Sequence, residues 1–152
     1  MNSKRRLTPY RRSLAGVLLA AREAVMAPIR PVLRDSDVTE QQWRVLRVLQ
    51  DEGPIDMSKL AESALLLAPS LTRILRELVE RGLIIRVPDA RDGRRSIVAI
   101  SPSGIVLVQE TAGRTRELLE RYAECFGPDR LSALKNELHE FAASIEDLKV
   151  KG

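Results

Sequence analysis

Apolar positions Leu14, Val17, Leu18, Ala21 and Val25 recur at steps of three and four, the period of one face of a helix. They predict a helix over 13–34, which Pro28 and Pro31 should kink or end. In "DSDVTEQQW", Thr39 can cap a second helix, with Gln42 three residues on as a capping box requires. That helix should bury Trp43, Leu46 and Leu49 and stop near Gly53-Pro54. Asp56 then caps a short helix, "MSKLAES". After the apolar turn "ALLLA", Pro69 suits the first turn of a helix over 69–81, with Leu71, Ile74, Leu75 and Leu78 on one face. Gly82 closes it. Two short helices joined by a brief turn make a helix-turn-helix.

The period then changes to two. "LIIRV" and "SIVAI" are β-branched and of strand length, and "PDARDGRRS" joins them as a hairpin loop. A helix-turn-helix followed by a two-stranded β wing is a winged helix. From Ser101-Pro102 the helical period returns at Ile105, Val108, Ala112, Leu119, Tyr122 and Phe126, with Thr115 in the one gap. Gly127-Pro128 breaks it, and Leu131, Leu134, Leu138, Phe141, Ile145 and Leu148 repeat it. Such heptad-like stripes need a partner surface. The fold class is mostly α: a basic arm over 1–12, a dimerisation helix over 13–34, a winged helix-turn-helix over 35–100, and C-terminal dimerisation helices over 101–152.

Charge sharpens this picture. The 152 residues carry a formal net charge of +4, but it is unevenly spread. Residues 1–34 hold eight Lys/Arg against one Glu, and residues 68–100 hold seven against four Asp/Glu. Positive charge gathered at one end and around the putting-together of helix and wing favours a polyanion, nucleic acid above all. One cysteine, Cys125, excludes an internal disulfide framework. The basic start followed by "LAGVLLAA" imitates a signal peptide, but Arg22 and Glu23 follow at once, so a cytoplasmic protein away from the membrane is expected.

The chemistry-bearing residues lie on the second helix of the helix-turn-helix and on the wing. Pro69, Thr72, Arg73 and Arg76 recur at helical spacing opposite the leucines, with Ser70 beside them. Arginine can hold guanine bidentately in the major groove, and small hydroxyl residues at a helix start are typical companions. On the loop, Arg91, Arg94 and Arg95 alternate with Asp89 and Asp92. Gly93 would permit the tight turn, the aspartates would pair with Arg91 or Arg95, and Arg94 would reach a narrow minor groove. An ordinary solvated helix and a self-neutralised hairpin are the plain alternatives.

"PDARDGRRSIVAIS" resembles the wing signature of the MarR family: Asp-x-Arg-Asp-x-Arg, a strand, then a Ser that starts the next helix. "KLAESALLLAPSLTRILRELVERGLI" is similar to that family's helix-turn-helix. "AREAVMAPIRPVL", "TEQQWRVLRVL" and "PSLTRIL" most resemble its regulators of homoprotocatechuate degradation operons, the HpaR type. The resemblance implies a homodimeric repressor on double-stranded DNA, at a pseudo-palindromic operator, relieved by a small aromatic carboxylate. The candidates for that effector pocket are Arg22 and Met26, one turn apart on the first helix, and Trp43 and Arg47, one turn apart on the next. Arginine can hold a carboxylate, and Met and Trp can flank a ring. Trp43 as core and the arginines as surface ion pairs are the bland reading.

A MarR-type regulator of efflux or stress genes responding to other phenolic compounds is the alternative within the family. A winged-helix module that binds protein is the alternative outside it. An enzyme is not expected: His139 stands alone without a nucleophile, and no glycine-rich phosphate loop is present. One His with one Cys makes no metal site, and no cofactor is expected.

Overall fold

The computed structural model describes residues 7–150, with side chains through Leu148. Lys4, Arg5 and Arg6 of the expected basic arm lie outside the described residues. Tyr10–Arg12 form one 3-10 turn. Ser13 locks it, donating from Oγ to the Tyr10 carbonyl at 2.6 Å and accepting from the Gly16 N–H at 3.1 Å. Gly16 is required here, because a Cβ would overlap the Tyr10 carbonyl oxygen.

The single helix expected over 13–34 is two, α1 (Leu14–Met26) and α2 (Ile29–Asp35). Pro28 caps α2, and Pro31 sits in its first turn, where a missing N–H breaks no helical hydrogen bond. α3 (Glu40–Glu52) opens on the full capping box. Thr39 Oγ1 accepts from Gln42 N–H at 3.1 Å, and Gln42 Oε1 accepts from Thr39 N–H at 3.0 Å. Gly53 ends it at φ 78°, a left-handed conformation that glycine takes without a Cβ clash.

A two-residue strand, β1 (Ile55–Asp56), precedes α4 (Met57–Ala64), which Asp56 caps through Lys59 N–H at 2.9 Å. α5 (Ala68–Glu80) follows. Its last turn closes on two bonds, Gly82 N–H to Val79 carbonyl at 2.9 Å and Leu83 N–H to Leu78 carbonyl at 3.0 Å. Both satisfy carbonyls that a helix end would otherwise leave bare.

β2 (Ile84–Pro88) and β3 (Ser96–Ile100) form the wing, antiparallel with Ile84 opposite Ile100 and Pro88 opposite Ser96. The wing has the two strands expected of it, and a third strand, β1, extends the sheet in the order β1-β3-β2, with Ile55 opposite Val98. A two-residue strand is too short to show alternation, so no sequence period betrays β1. Pro88 is tolerated because β2 is an edge strand.

α6 (Pro102–Phe126) and α7 (Pro128–Val150) complete the chain. Ser101 fastens the start of α6 to the root of the wing. Its Oγ donates to the Gly82 carbonyl at 2.6 Å and accepts from Gly104 N–H at 3.1 Å. A Cβ on Gly104 would overlap the Leu83 carbonyl oxygen, so α6 approaches the wing root backbone to backbone.

The boundary between two compact units falls inside α6, between Gly113 and Arg114. In the first unit Leu33, Val45, Leu46, Leu49, Leu60, Leu71, Ile74, Leu75, Leu78, Val98 and Val108 are fully buried. Each contributes roughly 1.5–3 kcal/mol of hydrophobic stabilisation. The predicted apolar face of α5 is thus entirely core. Other predicted stripes face solvent among the described residues: Leu14, Val17, Leu18 and Val25 of α1 are exposed, and Leu134, Leu138, Phe141 and Ile145 of α7 are 37–42% exposed.

Candidate nucleic-acid interface

α5 is oriented by its buried leucines, and the same period turns Pro69, Thr72, Arg73 and Arg76 to solvent, with Ser70 half-buried. Thr72 Oγ1 donates to the Ala68 carbonyl at 3.0 Å, which fixes its rotamer and leaves its lone pairs outward. The two arginines are not equivalent. Arg73 lies against Glu77 Oε1 at 3.3 Å and Gln41 Oε1 at 3.5 Å. Arg76 makes no ion pair or hydrogen bond among the described residues, so its guanidinium is the freer of the two.

Glu77 was not singled out from the sequence, yet it joins two elements. Its Oε2 accepts from Gln42 Nε2 at 2.9 Å, so one carboxylate reaches both the capping box of α3 and Arg73 of α5. An open groove of about 670 Å³ runs alongside, lined by Arg34, Asp37, Thr39, Gln42, Glu77 and Arg81 among others. Two of its lining residues are joined, Arg81 donating to the Asp37 carbonyl at 2.6 Å.

On the wing, Asp89 and Asp92 do hold the loop, but through the backbone. Asp89 Oδ1 accepts from Arg91 N–H at 3.0 Å, and Asp92 Oδ1 accepts from Arg94 N–H at 3.1 Å. The expected pairing with the Arg91 or Arg95 side chains is therefore corrected: an aspartate's own nearby N–H groups lie closer than a mobile guanidinium. All three guanidinium groups, of Arg91, Arg94 and Arg95, are exposed and unpaired among the described residues. Gly93 also departs from expectation. It has no left-handed φ, and nothing lies within 4 Å of a Cβ built there.

The arginines proposed from sequence for a small acid each have partners of their own. Arg47 stands 5.7 Å from the centre of the Trp43 ring and 3.7 Å from Asp51 Oδ2. Trp43 is only 8% exposed. Arg22 reaches from α1 to an ion pair with Glu40, the first residue of α3, and Met26 is half-buried one turn along α1. Arg30 on α2 holds Glu23 by two bonds of 2.9 and 2.8 Å, and this pairing keeps the Glu23 carboxyl below its ordinary range.

Arg44 of α3 is a further basic residue, which the sequence did not mark. Its Nη1 donates to the Ala64 carbonyl at 3.1 Å and to that of Leu65 at 3.5 Å, while its Nε is buried without a partner. Burial, and then the charge of Arg22, push its guanidinium below the usual arginine range. Among the described residues no three His, Cys, Asp or Glu come together to hold a metal, and no helix is long and apolar enough to cross a membrane.

A MarR family model matches residues 38–96, from the turn before α3 to the start of β3. The HTH-type transcriptional regulator FarR of Neisseria gonorrhoeae is 38% identical over 86% of this chain and 88% of its own. The chain belongs to the MarR family. It is a winged-helix transcriptional regulator, and its relatives are regulators rather than enzymes. The homoprotocatechuate degradative operon repressor of Escherichia coli is 34% identical over 86% of this chain and 88% of its own. Among solved structures, NadR in complex with 4-hydroxyphenylacetate superposes with a TM-score of 0.80 at 34% identity, covering 90% of this chain and 97% of that one.

Proposed function

We propose that this regulator is a homodimeric repressor that places two copies of α5 in successive major grooves of a pseudo-palindromic operator and releases it on binding a small aromatic carboxylate. The observation that carries the DNA reading is the pairing of free arginines on both reading elements, Arg76 on α5 and Arg91, Arg94 and Arg95 on the wing. Unpaired guanidinium groups on an exposed face need break no existing ion pair to turn toward phosphate or guanine. Pro69, Ser70, Thr72 and Arg73 complete the major-groove face.

The second copy is supported by the exposed stripes on α1 and α7, since long apolar stripes left in water are unfavourable at ~25 cal/mol per Å². The effector class is supported by two relatives, one named for a homoprotocatechuate operon and one solved with 4-hydroxyphenylacetate. Arg22 and Arg47 supply charge for a carboxylate, with Met26 and Trp43 beside them. Glu40 and Asp51 now hold those arginines, so the acid would take over existing charge pairs rather than meet bare cations. The regulated genes would then belong to breakdown of such aromatic acids. The test is a mobility shift on duplexes selected by the protein from a random pool, with Arg76→Ala and Arg94→Ala alongside. Loss of binding in these variants supports the assignment, and unchanged binding removes it.

A further inference from the structure

The turn between α4 and α5 carries two largely exposed leucines. Leu65 is 81% exposed and Leu67 is 77% exposed, while Leu66 between them is half-buried. Both stand where the backbone favours a different residue. Leu65 ends α4 in a left-handed conformation, φ 55°, which glycine adopts at no steric cost. Leu67 occupies the cap of α5, where Ser, Thr, Asp or Asn would accept a helix N–H; here no side chain does. Neither leucine is held in place by the core, so neither local preference nor burial accounts for them.

The turn itself is held firmly. Arg44 ties the Ala64 and Leu65 carbonyls from α3, and Leu66 N–H donates to the Ala61 carbonyl at 2.9 Å. The leucines are thus presented on a fixed turn, directly before Pro69, Thr72, Arg73 and Arg76. From Ser63 to Arg76 the chain contains no Asp or Glu. An acid-free, partly apolar tip that leads into a basic face suits a polyanion that also offers apolar groups at its surface. Duplex DNA does so in the major groove, where the thymine C5-methyl is the one apolar feature of the base edges.

We propose that Leu65 and Leu67 form an apolar contact that reads thymine methyl groups at the edge of each half-site. This rests on the reading of α5 as the recognition helix, whose N-terminal end is the part that meets base edges. It adds a specificity element separate from the arginines, which recognise guanine.

Replacement of thymine by deoxyuridine removes only the methyl group. The experiment takes a duplex selected from a random pool by the wild-type protein and substitutes deoxyuridine at each thymine in turn. Wild type, Leu65→Ala and Leu67→Ala are titrated on every duplex, with Arg76→Ala as a comparison and thermal melts to confirm folding. The wild type should lose about fourfold in affinity at one or more thymines per half-site, the factor for one buried methylene-sized group. That loss should vanish in Leu65→Ala or Leu67→Ala and persist in Arg76→Ala. A full uracil penalty in both leucine variants, or none in the wild type, overturns the proposal and leaves the DNA reading intact. Failure of the wild type to enrich any duplex overturns both.

Discussion

Glu77 and Gln42 stand 35 residues apart and are joined by a 2.9 Å hydrogen bond from the Gln42 amide to the Glu77 carboxylate. The other oxygen of Glu77 faces Arg73 at 3.3 Å. The start of α3 and the solvent-facing side of α5, proposed above to read DNA, are therefore linked through one acid that also restrains one of its two arginines.

Glu77→Gln should keep an acceptor for Gln42 and release Arg73. Stability should change little, within about 1 kcal/mol, because the Arg73 pair is exposed. Removal of an acid beside the proposed DNA face should raise affinity for non-specific duplex and steepen the log–log salt slope by up to about 0.9 if Arg73 then reaches a phosphate. Chemical denaturation and salt titrations check the two halves separately. A large loss of stability with unchanged DNA affinity would make Glu77 purely structural.

Arg76→Ala should weaken specific binding by about 1–3 kcal/mol if the residue holds a guanine bidentately. Arg73→Ala should cost less, since its guanidinium must first leave Glu77. Titration of both variants against the selected duplex and its guanine substitutions checks the order.

Arg94→Ala should lower the log–log salt slope by roughly 0.9 per lost phosphate contact while leaving the preferred major-groove sequence unchanged. Gly93→Ala offers a control, since the backbone there is open to a side chain. It should fold with unchanged stability, and thermal melts check it.

Gly104→Ala should destabilise the fold by about 1–3 kcal/mol, the usual cost of overpacking, because the new methyl meets the Leu83 backbone. Gly113→Ala, in the same helix with nothing within 4 Å of its Cβ, should stabilise it by up to about 1 kcal/mol from helix propensity alone. Denaturant midpoints of the pair measure both.

Much of the fold was legible because its signals are local. The Thr39–Gln42 box, Pro69, Gly82 and Ser101 mark helix ends within three or four residues, and the leucine period of α5 fixes both its buried and its exposed face. The exposed arginines follow from that same period. What stayed hidden depends on contacts distant in sequence or on choices between near-equal partners. The Gln42–Glu77 bond and the tie from Arg44 to the Ala64 carbonyl cross 35 and 20 residues without any period to announce them. β1 is too short to show a pattern, and the wing aspartates could pair with side chains or with backbone on sequence grounds alone. Pro28 did announce the break after α1, although not that a separate helix would restart at Ile29.

The proposed function requires that this MarR-family chain bind a specific operator and let it go when an aromatic acid binds. The most direct measurement is fluorescence anisotropy of the selected duplex, titrated with wild-type protein at fixed salt, without and with millimolar 4-hydroxyphenylacetate. Ligand-relieved repression predicts specific binding at least about 10³-fold tighter than to scrambled duplex. It also predicts a loss of about five- to 150-fold on adding the acid, the range of a typical coupling free energy, and a blunted response in Arg22→Ala. Operator affinity unchanged by the acid, although calorimetry shows that the acid binds, would contradict it, because a ligand with equal affinity for both states shifts nothing.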